Sequence, residues 1–270
     1  MKKIKVGIIG CGTIGSALAK ILSREFRSRA VLACLCDRQK QKAQRLARTL
    51  SAKIRIVPLE QLIRQCDLVI EAASAAVSAR IARESLARHK HALIMSVGGL
   101  LSDGNFMRAL KRSRGKLWIP SGAVAGVDAL LAAREAKLRR VTLITTKPAS
   151  ALAQAPYFRT RKFPALHGGK SRCIFKGSAR EAVRGFPQNI NVAAILSLAG
   201  IGASRTHVEI WASRAARMNR HEVVIEGDFG KMRALTENVS SPGNPKTSYL
   251  AVLSAAATLR RIFSPLQLGT

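Results

Sequence analysis

Acidic residues are scarce in this chain of 270 residues: 15 Asp and Glu stand against 46 Lys and Arg, a formal net charge of +31. Aromatic residues make up only 4%, which leaves too few rings for the stacking platforms that single-strand nucleic-acid binders use. A charge of this size favours nucleic acid, an anionic membrane or acidic metabolites as partners. The basic residues, however, are spread along the whole chain with no basic tail. A solvated basic surface that steers an anionic substrate inward is therefore the preferred reading, with a specific polyanion site as the other. No apolar run is long enough to span a bilayer. The basic start at Lys2 and Lys3 precedes a short apolar stretch that runs straight into a glycine-rich turn, the pattern of a first strand and not of a signal peptide. The cysteines are few and odd in number: Cys11, Cys34, Cys36, Cys66 and Cys173. Cys34 and Cys36 would share one side of a strand, but no second pair of metal ligands accompanies them. Free thiols in a reducing cytoplasm are expected, with no metal site.

What is present begins at residue 10. The hexapeptide Gly10-Cys11-Gly12-Thr13-Ile14-Gly15 follows the apolar run Val6–Ile9. Gly10 permits a tight turn, Gly12 lets a pyrophosphate approach the backbone, and Gly15 lets the next helix pack against the strand. The helix N-terminus then offers N–H groups and a positive dipole end. Ile14, Ala17, Leu18, Ile21 and Leu22 supply a helical apolar stripe. A second strand, Val31–Leu35, ends beside Asp37, 22 positions beyond Gly15, where a ribose-binding carboxylate is expected. Gly10, Gly12, Thr13, Ile14, Gly15 and Asp37 are accordingly the candidate dinucleotide contacts. The bland alternative is a glycine-rich βα turn with a chance acid after strand two.

The first half alternates strands (near 3–9, 31–36, 54–57, 68–71, 92–95 and 116–119) with helices (near 13–25, 38–50, 59–65, 76–88 and 103–113). That alternation predicts a doubly wound parallel sheet, an α/β Rossmann domain, with ligands outside the C-terminal strand ends. Small-residue segments at Glu71–Ser74, Ser96–Gly99 and Pro120–Ala123 would lie on the same rim. Past residue 122 strands are expected near 140–146, 172–175, 206–212 and 222–227, with 147–171 as a long loop. This is a second, smaller α+β domain.

Three pieces of the second half hold candidate chemistry. Ser178 and Glu181 form a capping box that starts a short helix; Pro187 stops it, and Asn189 or Asn191 opens the next. There an amide either caps or binds a ligand. His221, in Asn219-Arg220-His221-Glu222-Val223, opens a strand among polar residues; His89 and His91 look solvated, His167 falls in the loop, and His207 lies within a strand. Finally, Asn244-Pro245 is read as the start of the last helix. That reading places Lys246 against the helix dipole in the first turn, a broken local rule that an anion between Lys246, Thr247 and free N–H groups would explain.

Taken in order, GCGTIG, EAAS, SVGGL, PSGAVAGVDAL, GSAREAVRGFPQNINVAA, NRHEV and NPKTSYLAVLSA resemble the L-aspartate dehydrogenase family over nearly the whole length. The resemblance implies oxidative deamination of L-aspartate to oxaloacetate through iminoaspartate, with NAD or NADP as cofactor. It also implies a homodimer and a link to NAD biosynthesis. Carried onto this sequence, the family's catalytic histidine falls on His221 and its further cofactor contacts on Ala123 and Asn191. Its C-terminal helix returns to the nucleotide domain. Domains of 1–121 plus 244–270 and of 122–243 follow. Where the family tends to have Arg-Lys-Pro-Pro, this chain reads Thr146-Lys147-Pro148-Ala149, and the family is not usually this basic. Other readings are a related dehydrogenase or imine reductase acting on another amino acid, and a non-catalytic nucleotide-binding protein that holds nucleic acid by charge.

Overall fold

The computed structural model describes residues 3–50, 53–166, 170–187 and 191–270, without the side chains of Pro245 and Lys246. His167 and Asn189 lie outside the described residues. The chain divides into two units, one of residues 1–120 and 252–267, the other of 121–251 and 268–270.

The first unit alternates β1 (Ile4–Ile9), α1 (Thr13–Glu25), β2 (Ala30–Cys36), α2 (Lys40–Arg48), β3 (Arg55–Ile56), α3 (Leu59–Gln65), β4 (Leu68–Glu71), α4 (Ala75–Ala87), β5 (His91–Ile94), α5 (Phe106–Arg112) and β6 (Leu117–Trp118). Its six strands run in the order β3-β2-β1-β4-β5-β6, all pairs parallel. The strand order reverses direction between β1 and β4, the switch point at which doubly wound sheets bind ligands. Val6, Ile8, Leu18, Leu22, Leu35, Leu68, Ile70 and Leu93 form the core. The expected helix over 103–113 is shorter. A 3₁₀ turn, Val97–Ser102, precedes α5.

The second unit holds α6 (Val127–Ala133), β7 (Leu138–Pro148), α7 (Ala149–Leu152), β8 (Arg172–Ser178), α8 (Ala179–Gly185), α9 (Asn191–Ala199), β9 (His207–Ser213), β10 (Asn219–Gly227), β11 (Gly230–Asn238), β12 (Ser240–Ser241) and β13 (Asn244–Ser248). A mixed five-stranded sheet has the order β11-β10-β7-β9-β8. One face carries Val141, Leu143, Val208, Ile210, Val223 and Ile225 into a core with Leu130, Ala182, Val192 and Leu196 of the helices. The capping box at α8 is present, with Ser178 N–H donating to the Glu181 carboxylate at 2.8 Å and Glu181 N–H to Ser178 Oγ at 3.3 Å.

The structure departs from the expected elements of the second half in three places. The segment 147–171 is not one long loop: β7 continues through Lys147 and Pro148, because these residues stay paired with Ala212 and Ser213 of β9. Strand β11, not anticipated, is an edge strand whose apolar residues mix with Lys, Arg and Glu. Finally, the last helix does not begin at Asn244-Pro245. Pro242-Gly243 makes a two-residue turn that folds Asn244–Ser248 back on Ser240–Ser241 as a strand. Proline before glycine is a turn signal, and here it outweighs the Asn-Pro helix start. The final helix, α10 (Tyr249–Phe263), starts five residues later and buries Ala255, Ala256, Leu259 and Phe263 in the first unit's core. Arg260 pairs with Glu25 at 2.8 Å, and the Phe26 and Phe263 rings lie 4.9 Å apart.

Candidate active site

In the first unit the site is made of backbone. Gly10 has φ +94°, and a Cβ there would stand 2.4 Å from the Ala72 carbonyl oxygen; at Gly15 a Cβ would stand 1.8 Å from the Gly10 carbonyl oxygen. Only glycine lets β1 turn this sharply into α1. Gly12 differs: a Cβ there meets nothing within 4 Å. It is the N-cap of α1, with no side-chain cap and no acidic residue in the first turn. The N–H groups of Thr13, Ile14 and Gly15 therefore open a helix end with no carboxylate of its own. An anion fits this cradle, and a side chain at position 12 would fill it.

Asp37, just past β2, is oriented by two backbone donors. Cys11 N–H reaches its Oδ2 at 2.7 Å and Gln39 N–H its Oδ1 at 2.8 Å. The carboxylate is thereby fixed beside the glycine turn with lone pairs to spare for a ribose diol. Glu71 plays an unforeseen part. Fully buried at the end of β4, it accepts from Ser96 N–H (2.9 Å), Ser96 Oγ (2.8 Å) and Ala73 N–H (2.8 Å). Burial pushes its carboxyl above the usual range while these bonds oppose that shift. It ties two rim loops together, which a run of small residues did not reveal.

In the second unit the site is made of side chains, and register assembles it. His221 faces Thr145 across β10 and β7, and Thr236 across β10 and β11. Side chains alternate along a strand, so Thr145, Lys147, Asn219, His221, Thr236 and Asn238 all lie on the inner face, at the end beyond its apolar residues. His221 is 3% exposed and its Nδ1 shares a hydrogen bond with Thr145 Oγ1. Burial, then the nearby Lys147 ammonium, push its pKa down to about 3. The free protein thus holds His221 as neutral imidazole, not near neutrality as a solvated histidine would be. Lys147 is also buried, and burial brings its pKa down to about 8.

Ala123, an expected cofactor contact, is held against this end of the sheet. Its carbonyl accepts from Asn238 Nδ2 at 2.9 Å and Thr236 Oγ1 at 3.0 Å. Asn219 Nδ2 donates to Ser248 Oγ at 3.1 Å, which brings the end of β13 to the start of β10. Thr247 lies on β13 and accepts from Asn244 Nδ2 at 3.1 Å. Lys246 is on the same strand, not in a helical first turn, so the broken dipole rule no longer singles it out; its side chain is outside the described residues. Asn191 is the first residue of α9 and is exposed. His207 points to solvent from β9. Lys147 falls in the expected loop 147–171, and Thr145, inside the expected strand 140–146, carries no signal of its own until the inward alternation is followed. Extending the inward set Val141, Leu143 by twos would have found both. Among the described residues no group of three or more His, Cys, Asp or Glu is placed to hold a metal, and no helix is long and apolar enough to cross a membrane.

A glycine turn at the switch point of a parallel sheet, an acid after the second strand, and a separate unit with a buried histidine define a nicotinamide-nucleotide-dependent dehydrogenase. Comparisons narrow the class. Residues 10–120 match a family model described as the NAD-binding domain of homoserine dehydrogenase, and residues 128–262 match one described as the C-terminal part of aspartate dehydrogenase. L-aspartate dehydrogenase of Methanosarcina acetivorans is 43% identical over 99% of this chain and 100% of its own. L-aspartate dehydrogenase 3 of Bordetella bronchiseptica is 35% identical over 100% of this chain and 98% of its own. The crystal structure of aspartate dehydrogenase from Thermotoga maritima matches with a TM-score of 0.73 at 26% identity, covering 99% of this chain and 100% of that one. The chain belongs to the L-aspartate dehydrogenase family.

Proposed function

We propose that this protein oxidises L-aspartate to iminoaspartate and hence to oxaloacetate and ammonia, with NAD or NADP as acceptor. The nicotinamide, when bound, would take the hydride from Cα; the protein supplies orientation and proton handling. The cradle at Gly12, Thr13, Ile14 and Gly15 would hold the pyrophosphate and Asp37 the adenosine ribose, with Ala123 and Asn191 as further contacts. Arg38, next to Asp37, leaves room for the 2′-phosphate of NADP. His221 is the general acid–base group. Neutral in the free protein, it gains basicity when a dicarboxylate places negative charge beside it, because an opposite charge favours the protonated form. Thr145 sets the tautomer by engaging Nδ1, which leaves Nε2 for the substrate side.

The observation that carries the reading is the neutral, buried His221 beside Lys147 in a chain similar over its full length to L-aspartate dehydrogenases. The basic surface would draw a dianion inward, and Lys246 and Thr247 are candidates to meet its carboxylates. The family reading extends to a homodimer in the cytoplasm that supplies iminoaspartate to nicotinamide-nucleotide synthesis. The test is a dehydrogenase assay across a panel of amino acids. L-Aspartate should exceed L-alanine in kcat/KM by orders of magnitude, since a site built for a second carboxylate is left with unpaired cations by an analogue lacking it. Comparable values would overturn the assignment.

A further inference from the structure

Lys147 is the second ionisable side chain of the inner face. It lies two residues beyond Thr145 on β7 and is 8% exposed. Its register partner on β9 is Ala212, and His221 of β10, opposite Thr145, lies on the same face. The acids of these strands (Glu209, Glu222, Glu226 and, on β11, Glu237) alternate onto the other face, where Glu222 pairs with Arg233 at 2.7 Å and Glu209 with Lys176 at 3.0 Å. Arg172 of β8, opposite Ala212, is exposed and donates to the Ala165 carbonyl at 3.1 Å. The lysine is thus buried on the same face as the histidine that the proposed mechanism uses, close enough for its charge to act on it.

Resting on that reading of the site, we propose that Lys147 is a catalytic base that removes a proton from the substrate's α-ammonium group. His221 is then left to serve the water that attacks the imine. An ammonium nitrogen has no lone pair to drive hydride loss, so it must first be deprotonated. A new N–H bond forms on the Lys147 amine as one N–H bond of the substrate breaks, and the electron pair stays on the substrate nitrogen. That pair forms the C=N bond as the Cα hydride leaves for the oxidised nicotinamide. Water adds to the protonated imine and gives its proton to His221. The carbinolamine collapses as its hydroxyl proton moves to nitrogen, and departing ammonia takes the proton back from Lys147. Nitrogen enters and leaves as ammonium, one proton is released from His221, and both side chains are restored. Basicity supports this division of labour. With its pKa brought down to about 8 by burial, Lys147 is an amine in mild alkali and still a strong enough base for an ammonium.

The experiment is aspartate oxidation from pH 6 to 10 by the unaltered protein and by Lys147→Met and Lys147→Arg, with NADH binding followed by fluorescence. For the unaltered protein, kcat/KM should fall on the acid side with a midpoint near the lysine's value of about 8. Lys147→Met should bind NADH normally, lose about 10²–10⁴-fold in kcat and lose this acid limb. Lys147→Arg should be equally slow, because a guanidinium keeps the charge but does not give up its proton. Methylamine should restore part of the rate of Lys147→Ala. Should a variant fail to fold, the unaltered protein still decides: a lysine's limb holds its midpoint in organic cosolvent, as a cationic acid does, and a midpoint that climbs marks a carboxyl instead. Full rate with an unchanged acid limb in Lys147→Met overturns the proposal. So does a fast Lys147→Arg with a raised KM in Lys147→Met, which marks a carboxylate-holding charge. Inactivity of the unaltered protein on aspartate overturns the activity itself and the proposal with it. A normal kcat in His221→Ala beside a slow Lys147→Met overturns only the role of His221.

Discussion

The two units build their sites from different materials. In the first unit the candidate surface is backbone, a glycine turn and an uncapped helix end, with the Asp37 carboxylate beside them and buried Glu71 gripping loop amides behind. In the second it is side chains, His221, Lys147, Thr145, Thr236 and Asn238, brought together by strand register at the polar end of a sheet face. A backbone site depends on which residues lack side chains. It tolerates no Cβ at Gly10 or Gly15 but demands little chemistry of its neighbours. A side-chain site depends on burial. The surroundings of His221 and Lys147, more than their identity, set the protonation states they hold.

This contrast yields graded tests. Gly15→Ala should have the largest effect, since its Cβ would overlap the Gly10 carbonyl oxygen at 1.8 Å and neither atom is on a flexible side chain. A loss on the order of 4 kcal/mol or more is expected, read as a collapse of the thermal transition; near-native stability would show that the turn is not as tight as described. Gly12→Val should leave that transition in place, since position 12 is open, but weaken NADH binding. Overfilling a fitted space costs about 1–3 kcal/mol, so calorimetry should show about a five- to hundredfold rise in Kd. Unchanged binding would remove the phosphate from this cradle. Asp37→Ala should shift the NAD/NADP ratio of kcat/KM towards NADP by about ten- to a hundredfold, because hydrogen bonds to a charged group contribute about 1.5–3 kcal/mol. A constant ratio would exclude Asp37 from the ribose site.

The side-chain site makes a pH prediction of smaller reach. The folded pKa of His221, about 3, lies below the unfolded value of 6.5. Between these values the unfolded chain binds the extra proton, so stability falls as pH is lowered through this window; above 6.5 His221 contributes no pH dependence. His221→Gln should therefore flatten the loss of denaturation midpoint between pH 6.5 and 4 relative to the unaltered protein. A parallel loss in both would mean that His221 is solvated.

The same contrast explains what was legible in the sequence. Gly10 to Gly15 and Asp37 are adjacent in the chain or set at a fixed spacing, so the motif announced the nucleotide unit. The capping box at Ser178 and Glu181 is equally local. Lys147 was not found because its role depends on β7 continuing past residue 146, which pairing with β9 decides and local propensity does not. The Asn244–Ser248 strand was taken for a helix start because its partner, Ser240–Ser241, is too short to announce itself. Ala123 was located through family likeness; what fixes it, the bonds from Thr236 and Asn238 on an unanticipated edge strand, is tertiary and left no local trace.

The most direct test of the account is the kinetics of His221→Ala beside His207→Ala, each with NADH affinity measured on the same preparation. His221 is buried at the polar end of the inner face, and His207 is exposed on β9. His221→Ala should lose about 10²–10⁴-fold in kcat with its NADH dissociation constant unchanged, while His207→Ala keeps the normal rate. Near-normal kcat in His221→Ala with the rate abolished in His207→Ala would contradict it and move the chemistry to another face of the sheet.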